Sequence, residues 1–216
     1  MLPRRGSFRH LPPKRRITGF LIINQYRMRY LLANGQYLRI RDARIEDAGP
    51  LLDMFRQAVQ ESDFLMTTPS EALHLTLEQE REFIAAYQQN PNQLFLVGDI
   101  EGTLAGTLSV TQAKSKKQLH VGEFGIVVLR KYWNMGIARR MMHVMFQWLE
   151  PHPVLRYVHL SVMANNDKAI HLYRNFGFQE EGRKTGVVRQ SDHEFQDVIL
   201  MGKWVSAREK PASKTL

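Results

Sequence analysis

Tyr132-Trp-Asn-Met-Gly-Ile-Ala138 follows the apolar run Phe124-Gly-Ile-Val-Val-Leu129 and opens an amphipathic stretch, Arg139-Arg-Met-Met-His-Val-Met-Phe-Gln-Trp148. A strand, a short turn bearing Gly136 and a helix start, in that order, make a place for phosphate. Unpaired N–H groups at a helix N-terminus point outward, and the helix dipole favours an anion there. Further along stands a second block, Val162-Met-Ala-Asn-Asn166-Asp-Lys-Ala169-Ile-His-Leu-Tyr173-Arg-Asn-Phe-Gly177-Phe178. Other phosphate sites fit less well. A P-loop needs Gly-Lys-Ser/Thr where this chain has Gly136-Ile-Ala138, and a dinucleotide fingerprint needs three spaced glycines where this turn has one.

Together, in this order, the two blocks resemble the GNAT superfamily of acetyl-CoA-dependent N-acetyltransferases, over roughly residues 37–204. Gly136 and Ala138 match that family's pyrophosphate turn, whereas Trp133 stands where a basic or amide residue is usual, which removes one side-chain contact to the phosphates. Asn166, Ala169, Leu172, Tyr173, Gly177 and Phe178 match the second motif in register. The resemblance implies direct attack of an amine on the thioester with no acyl-enzyme, in keeping with a chain that has no cysteine.

By the same resemblance, Trp133, Asn134, Met135, Gly136, Ile137 and Ala138 hold the pyrophosphate of acetyl-CoA. Backbone groups of Ile126, Val127 and Val128 pair with its pantetheine arm as an added strand, and one of their amides faces the thioester oxygen. Gly125 marks a bulge that would splay this strand from its neighbour. Tyr173 is the candidate general acid to the leaving sulfur. Ala169, Leu172, Tyr173 and Phe176 share a helical face, however, so a core tyrosine with a satisfied hydroxyl remains the competing reading. Glu123 is the candidate base: amid Val121, Phe124 and Ile126 it would lose solvation and gain basicity, while at a solvated edge it would be an ordinary strand carboxylate. His120 is the weaker base candidate. Asn166 either caps a helix or also lies near the pantetheine. Of Arg139 and Arg140, one could reach the phosphates, or both could form a solvated face. Met141, Met145 and Trp148 read as core, and Gly177 as a left-handed helix cap.

Composition narrows the class. A chain of 216 residues is one domain by size, and the absence of cysteine excludes disulfides, thiolate nucleophiles and cysteine-type zinc sites. With no His-x-x-x-His or Glu-x-x-His pair on an expected helix, no metal site is expected. No apolar run reaches the ~20 residues of a membrane span. The formal charge of +9 is uneven: residues 1–40 carry nine Arg and Lys and no acid, leaving 21 of each sign in the remainder. A basic face within the fold is thus not indicated, and no nucleic-acid partner is expected. The leader reads as a targeting peptide, as a basic tail for RNA or a membrane surface, or as a segment outside the fold with translation beginning at Met28.

The elements that must position the two blocks follow from periodicity. Tyr37–Arg41 alternates as a first strand, Ile45–Gln60 reads as a one-faced helix, 61–75 as a loop, and Thr76-Leu-Glu-Gln79 as a capping box opening a helix to about Gln89. A hairpin across Asp99–Gly102, a basic loop with Lys114, Lys116 and Lys117, and a long strand over 119–129 precede the turn and its helix. A strand over 155–162, a helix ending at Phe176-Gly177 and strands near 181–189 and 195–204 complete the chain. The expected fold is a three-layer α-β-α arrangement around a mixed, mostly antiparallel, splayed sheet. The expected domains are a disordered basic extension (1–35), the catalytic domain (36–205) and a polar tail (206–216).

The expected activity is acetyl transfer from acetyl-CoA, as co-substrate, to a primary amine: a small molecule, an amino acid or a protein N-terminus. The loop 61–75, with Glu61 and Asp63, and the strands near Gly186–Phe195 would line the acceptor side. A non-catalytic acyl-CoA sensor and a ribosome- or RNA-associated acetyltransferase are the alternatives. A cytoplasmic enzyme with no membrane partner is expected, with a homodimer left open.

Overall fold

The alternation at Tyr37–Arg41 is a strand, β2 (Tyr37–Asp42), whose Leu38 and Ile40 are fully buried while Tyr37 and Arg39 face solvent. The computed structural model describes residues 28–205. Within it the fold begins one strand earlier than expected. β1 (Met28–Leu31) pairs antiparallel with β2, Met28 opposite Ile40 and Leu31 opposite Tyr37, and Leu32 is buried behind the hairpin turn. The boundary at residue 36 is therefore corrected, because residues 28–35 belong to the folded unit. Charge composition misses this, since an edge strand carries a basic residue such as Arg29 on its solvent side without cost to the pairing. The readings made for residues 1–27 and 206–216 lie outside the described residues.

After a short 3-10 turn, α1 (Ala48–Glu61) buries Leu51, Leu52, Met54, Ala58 and Val59. The loop expected over 61–75 contains a helix, α2 (Pro69–His74). Its start is a capping box that the sequence carries as Thr68-Pro-Ser-Glu71: Glu71 N–H donates to Thr68 Oγ1 (3.2 Å), and Thr68 N–H donates to the Glu71 carboxylate (2.8 Å). Glu71 and His74 thus do share a helix at Glu-x-x-His spacing, but Glu71 serves the cap and His74 Nδ1 bonds the Ser70 carbonyl (2.7 Å). Among the described residues no group of three His, Cys, Asp or Glu is placed to hold a metal ion. α3 (Leu77–Gln89) starts at the expected box, with Gln79 N–H on Thr76 Oγ1 (3.2 Å).

β3 (Leu94–Ile100) and β4 (Thr103–Gln112) meet at Glu101-Gly102, both with positive φ (53° and 88°), the two-residue turn whose twist suits a hairpin. β5 (Val121–Val128) leads to α4 (Ile137–Leu149), then come β6 (Tyr157–Met163), α5 (Asp167–Asn175), β7 (Gln179–Arg189) and β8 (Phe195–Trp204). The eight strands form one sheet in the order β1-β2-β3-β4-β5-β6-β8-β7, with β5–β6 parallel and the other neighbours antiparallel. α4 and α5 pack one face over Leu38, Leu96, Leu108, Phe124, Val158 and Leu160, and α1 and α3 pack the other over Val97, Leu104 and Leu129. This is the expected three-layer arrangement. The Met141, Met145 and Trp148 stripe is core, and no helix among the described residues is long and apolar enough to cross a membrane.

Candidate active site

β5 and β6 are joined over only three residue pairs, Val121–Tyr157, Gly122–Val158 and Glu123–His159, although β5 continues to Val128 and β6 to Met163. β6 stays bound to β8 along its length and β5 to β4. The two strands therefore part beyond Glu123, leaving a V-shaped gap in the sheet. Gly125 does not cause the splay: its register with Ser109 is regular and β5 has no bulge. The strands diverge because each holds its other neighbour.

The ladder shows which backbone groups face the gap. Ala113 N–H donates to Val121 O and Leu129 N–H to Ala105 O (both 3.0 Å), so odd-numbered residues of β5 turn both polar groups to β4. Phe124, Ile126 and Val128 turn theirs to the gap. Of the three residues expected to pair with an added strand, Ile126 and Val128 are so directed and Val127 is not, because it is committed to Thr107 in the ladder. The Val128 carbonyl is already taken by Trp133 Nε1 (2.7 Å). Trp133 thus ties the turn back onto β5.

The turn itself is a concave run of amides. Asn134 (φ 62°) and Gly136 (φ 73°) are left-handed, Gly136 is the N-cap of α4, and the first helical bond is Arg140 N–H to Gly136 O (3.1 Å). The helix therefore starts at Ile137, earlier than the amphipathic stretch from Arg139 suggested. Among the described residues, no amide from Asn134 to Arg139 donates to a protein acceptor. A left-handed residue followed by right-handed helical backbone, as at Gly136-Ile137, forms an anion-binding nest at a helix N-terminus. Ala138 keeps the first turn free of bulk, and Met135 packs into the core. Arg139 is exposed, whereas Arg140 folds back, its Nη1 donating to the carbonyls of Met135 (3.1 Å) and Gly136 (3.2 Å).

On the α4–α5 side of the gap lies Tyr173, 8% exposed, its ring edge-on to Phe124 (5.6 Å) and near Phe178 (6.0 Å). Its hydroxyl makes no hydrogen bond among the described residues, yet it is not fully enclosed. Burial pushes its ionisation above the ordinary phenol value, so the proton stays on the oxygen. Asn166 caps α5, its Oδ1 accepting from Ala169 N–H (3.2 Å), and Gly177 ends the helix with φ 83°.

Glu123 stands on the opposite face and is exposed, so the apolar enclosure expected around it is missing. Alternation sends Phe124 and Ile126 to the α4–α5 face and Glu123 away from them. Sequence reasoning missed its neighbour. His159 is the Cα partner of Glu123 in the parallel register, on the same face, at the last pair before the strands part. Nothing local marks this histidine; only the pairing does. Beside it, Tyr157 donates a hydrogen bond to Glu181 over Gly202, which is opposite His159 on β8 and leaves room for the pair. His120 lies away from the vertex, stacked on Trp204 (6.1 Å).

The expected acceptor walls do meet. Gln190 Nε2 donates to the Asp63 carbonyl (2.9 Å) and contacts Met163 Sδ (3.8 Å), linking the loop after α1, the β7–β8 turn and the end of β6. Glu61 is spoken for: its carboxylate accepts from Arg130 N–H (2.8 Å) and Gln57 Nε2 (2.6 Å).

Comparison with known proteins agrees with this geometry. Residues 58–178 match the sequence model described as the acetyltransferase (GNAT) family. The chain is 31% identical to the L-amino acid N-acetyltransferase AaaT of Escherichia coli over 87 residues, which take in 40% of this chain and 54% of that protein, about half its length. It resembles the crystal structure of a GNAT-family acetyltransferase from Streptococcus pneumoniae, with a TM-score of 0.74 and 30% identity over 77% of this chain and 99% of that one. The yncA structure from Salmonella typhimurium, solved with its cofactor acetyl-CoA, shares the fold at a TM-score of 0.70 and 15% identity, over 82% of this chain and 99% of that one.

Proposed function

Because this chain belongs to the acetyltransferase (GNAT) family, we propose that it moves the acetyl group of acetyl-CoA directly to a primary amine within a ternary complex. The observation that carries the reading is the gap between β5 and β6, lined by outward backbone groups of Ile126 and Val128 and ending at the unpaired amides of Asn134–Arg139. An extended pantetheine arm fits where a strand is missing, and a pyrophosphate fits the nest.

The acetyl group then lies toward the vertex, between Phe124 and His159. The amine lone pair attacks the thioester carbon, and the oxygen gains charge facing the Ile126 N–H. The C–S bond breaks with its electrons leaving on sulfur, and Tyr173 donates its proton there. A thiolate in the same buried gap is itself poorly solvated, which raises its affinity for that proton. The nitrogen gives up one proton to form the amide. Glu123 and His159, flanking the vertex on the acceptor face, receive it, and exchange with water restores the tyrosine. Asn166 holds the start of α5 and hence the height of Tyr173.

The acceptor is a small amine, an amino acid or a peptide N-terminus. The acceptor face offers Glu123 and Glu181 to a cation, and AaaT is named as an enzyme of L-amino acids.

The test combines binding and turnover. Acetyl-CoA at about 100 times its Kd should stabilise the native state by about 2.7 kcal/mol, seen as a rise in Tm that ATP and NAD do not produce. Gly136→Glu, which puts a carboxylate beside the pyrophosphate, should abolish the rise. An amine panel should then show free thiol release. No shift at saturating acetyl-CoA overturns the reading, and a shift without thiol release from any amine leaves a binding module in its place.

A further inference from the structure

Arg140 is the first helical donor of α4, and its side chain turns back on its own N-terminus. Nη1 holds the carbonyls of Met135 and Gly136 together (3.1 and 3.2 Å). In a trans peptide the C=O and the next N–H point in opposite directions. Fixing those two oxygens on the inner side therefore aims the amides of Gly136 and Ile137 outward, to the place where the pyrophosphate is proposed to bind. The space for this contact depends on Gly136, since a Cβ there would stand 2.5 Å from Arg140 Nη1.

The guanidinium is held in turn. Its carbon lies 5.6 Å from the ring centroid of Tyr30, within the range of a cation–π contact. Tyr30 is on β1, where it is opposite Leu38 and packs with Met28 against the α4 core. Its hydroxyl is turned away, donating to Met28 Sδ (2.8 Å), so the ring face and not the oxygen meets Arg140. Burial raises the phenol's ionisation and the charge of Arg140 lowers it in part, so the ring stays neutral beside the cation. β1 lies outside residues 58–178, the part of the chain that matches the family.

We infer that Tyr30, through Arg140, positions the phosphate-binding turn, making β1 part of the coenzyme site. Tyr30 touches no reacting atom and is a positioning residue. The inference rests on the proposal that acetyl-CoA binds at this turn, and it makes a narrower claim: the contribution of Tyr30 is felt by the nucleotide diphosphate end of the donor and not by its thioester end.

The experiment uses the full chain with Tyr30→Leu, which keeps apolar bulk but loses the ring face, and Tyr30→Phe, which keeps it. Tyr30→Leu should raise the KM for acetyl-CoA and the Kd for coenzyme A about three- to tenfold, a loss of the size of one such contact, with kcat within about twofold of wild type. With acetyl-pantetheine, which lacks the diphosphate, kcat/KM should be unchanged. Tyr30→Phe should restore wild-type values. Coenzyme A binding unchanged in Tyr30→Leu overturns the inference. So does an equal loss with both donors, which would be general loosening of the site, or a Tyr30→Phe variant as weak as Tyr30→Leu. Failure of the wild-type chain to bind coenzyme A would instead overturn the proposed function. If Tyr30→Leu does not fold, Arg140→Met leaves β1 intact and should show the same split between the two donors; the absence of that split overturns the inference.

Discussion

Tyr173 combines properties that a proton donor needs and a core residue does not. Its ring is packed against Phe124 and Phe178, which fixes its position beside the point where β5 parts from β6, while its hydroxyl has no protein partner among the described residues. A tyrosine serving only the core would satisfy its hydroxyl, because an unmade bond costs ~1–3 kcal/mol. Tyr173→Phe keeps the ring and its packing, so kcat should fall ~10²–10⁴-fold, the usual worth of a positioned acid, with coenzyme A affinity unchanged. Since burial moves ionisation above the ordinary value of 10.0, loss of this proton should not limit the wild-type rate at or below pH 10. Rate profiles of wild type and variant test both statements. Full kcat in the variant together with lower stability would make the hydroxyl a structural group.

At the scale of elements, β1 changes what counts as the domain. It covers the outer edge of β2 and brings Met28 and Tyr30 onto the α4 core, with Leu32 closing the hairpin at 2% exposure. A chain starting at Met28 keeps β1 and Leu32. One starting at Asn34 loses β1 and Leu32. Removal of a buried leucine alone costs ~2 kcal/mol or more, and in a domain of this size that lowers Tm by at least ~4 °C. Thermal unfolding of the two chains side by side gives the answer, and equal melting temperatures would place β1 outside the cooperative unit. α5 shows the opposite case, an element whose both ends are written locally in Asn166 and Gly177.

Across the whole molecule, one buried histidine ties stability to pH far from the gap. His152, in the connection between α4 and β6, accepts N–H bonds from Val154 (3.1 Å) and Leu155 (2.9 Å) on Nδ1, which requires that nitrogen to be unprotonated. Burial lowers its ionisation from the ordinary value of 6.5, with Arg156 adding in the same direction against a bond to the Pro91 backbone. The unfolded chain takes up this proton near 6.5 and the folded chain resists it, so stability is whole above that value and is lost as pH falls through the lowered folded value. Tm should hold above about pH 7 and decline as pH falls below the ordinary histidine value of 6.5. His152→Asn, which keeps an acceptor but does not titrate, should flatten that limb; an unchanged slope would assign the decline to other groups.

Short stretches of this chain specify its local structure. The alternation at Tyr37–Arg41, the box at Thr76–Gln79, the glycine at the start of α4 and the Asn166–Phe178 block are each written within one or two turns of chain, and there periodicity and capping decide conformation. The helix at Pro69–His74 is equally legible in the capping box Thr68-Pro-Ser-Glu71, although the residues around it are polar. What required the tertiary structure were relations between strands. β1 forms because β2 offers an edge to it, and its own four residues carry no signal strong enough to announce that. The face on which Glu123 lies, the pairing that brings His159 beside it, the direction of the Ile126 and Val128 backbone groups and the ring of Tyr30 over Arg140 all depend on register. A shift of one residue reverses the face of every side chain in a strand. Register is set by the sum of contacts across the sheet, so no short stretch of this chain contains it.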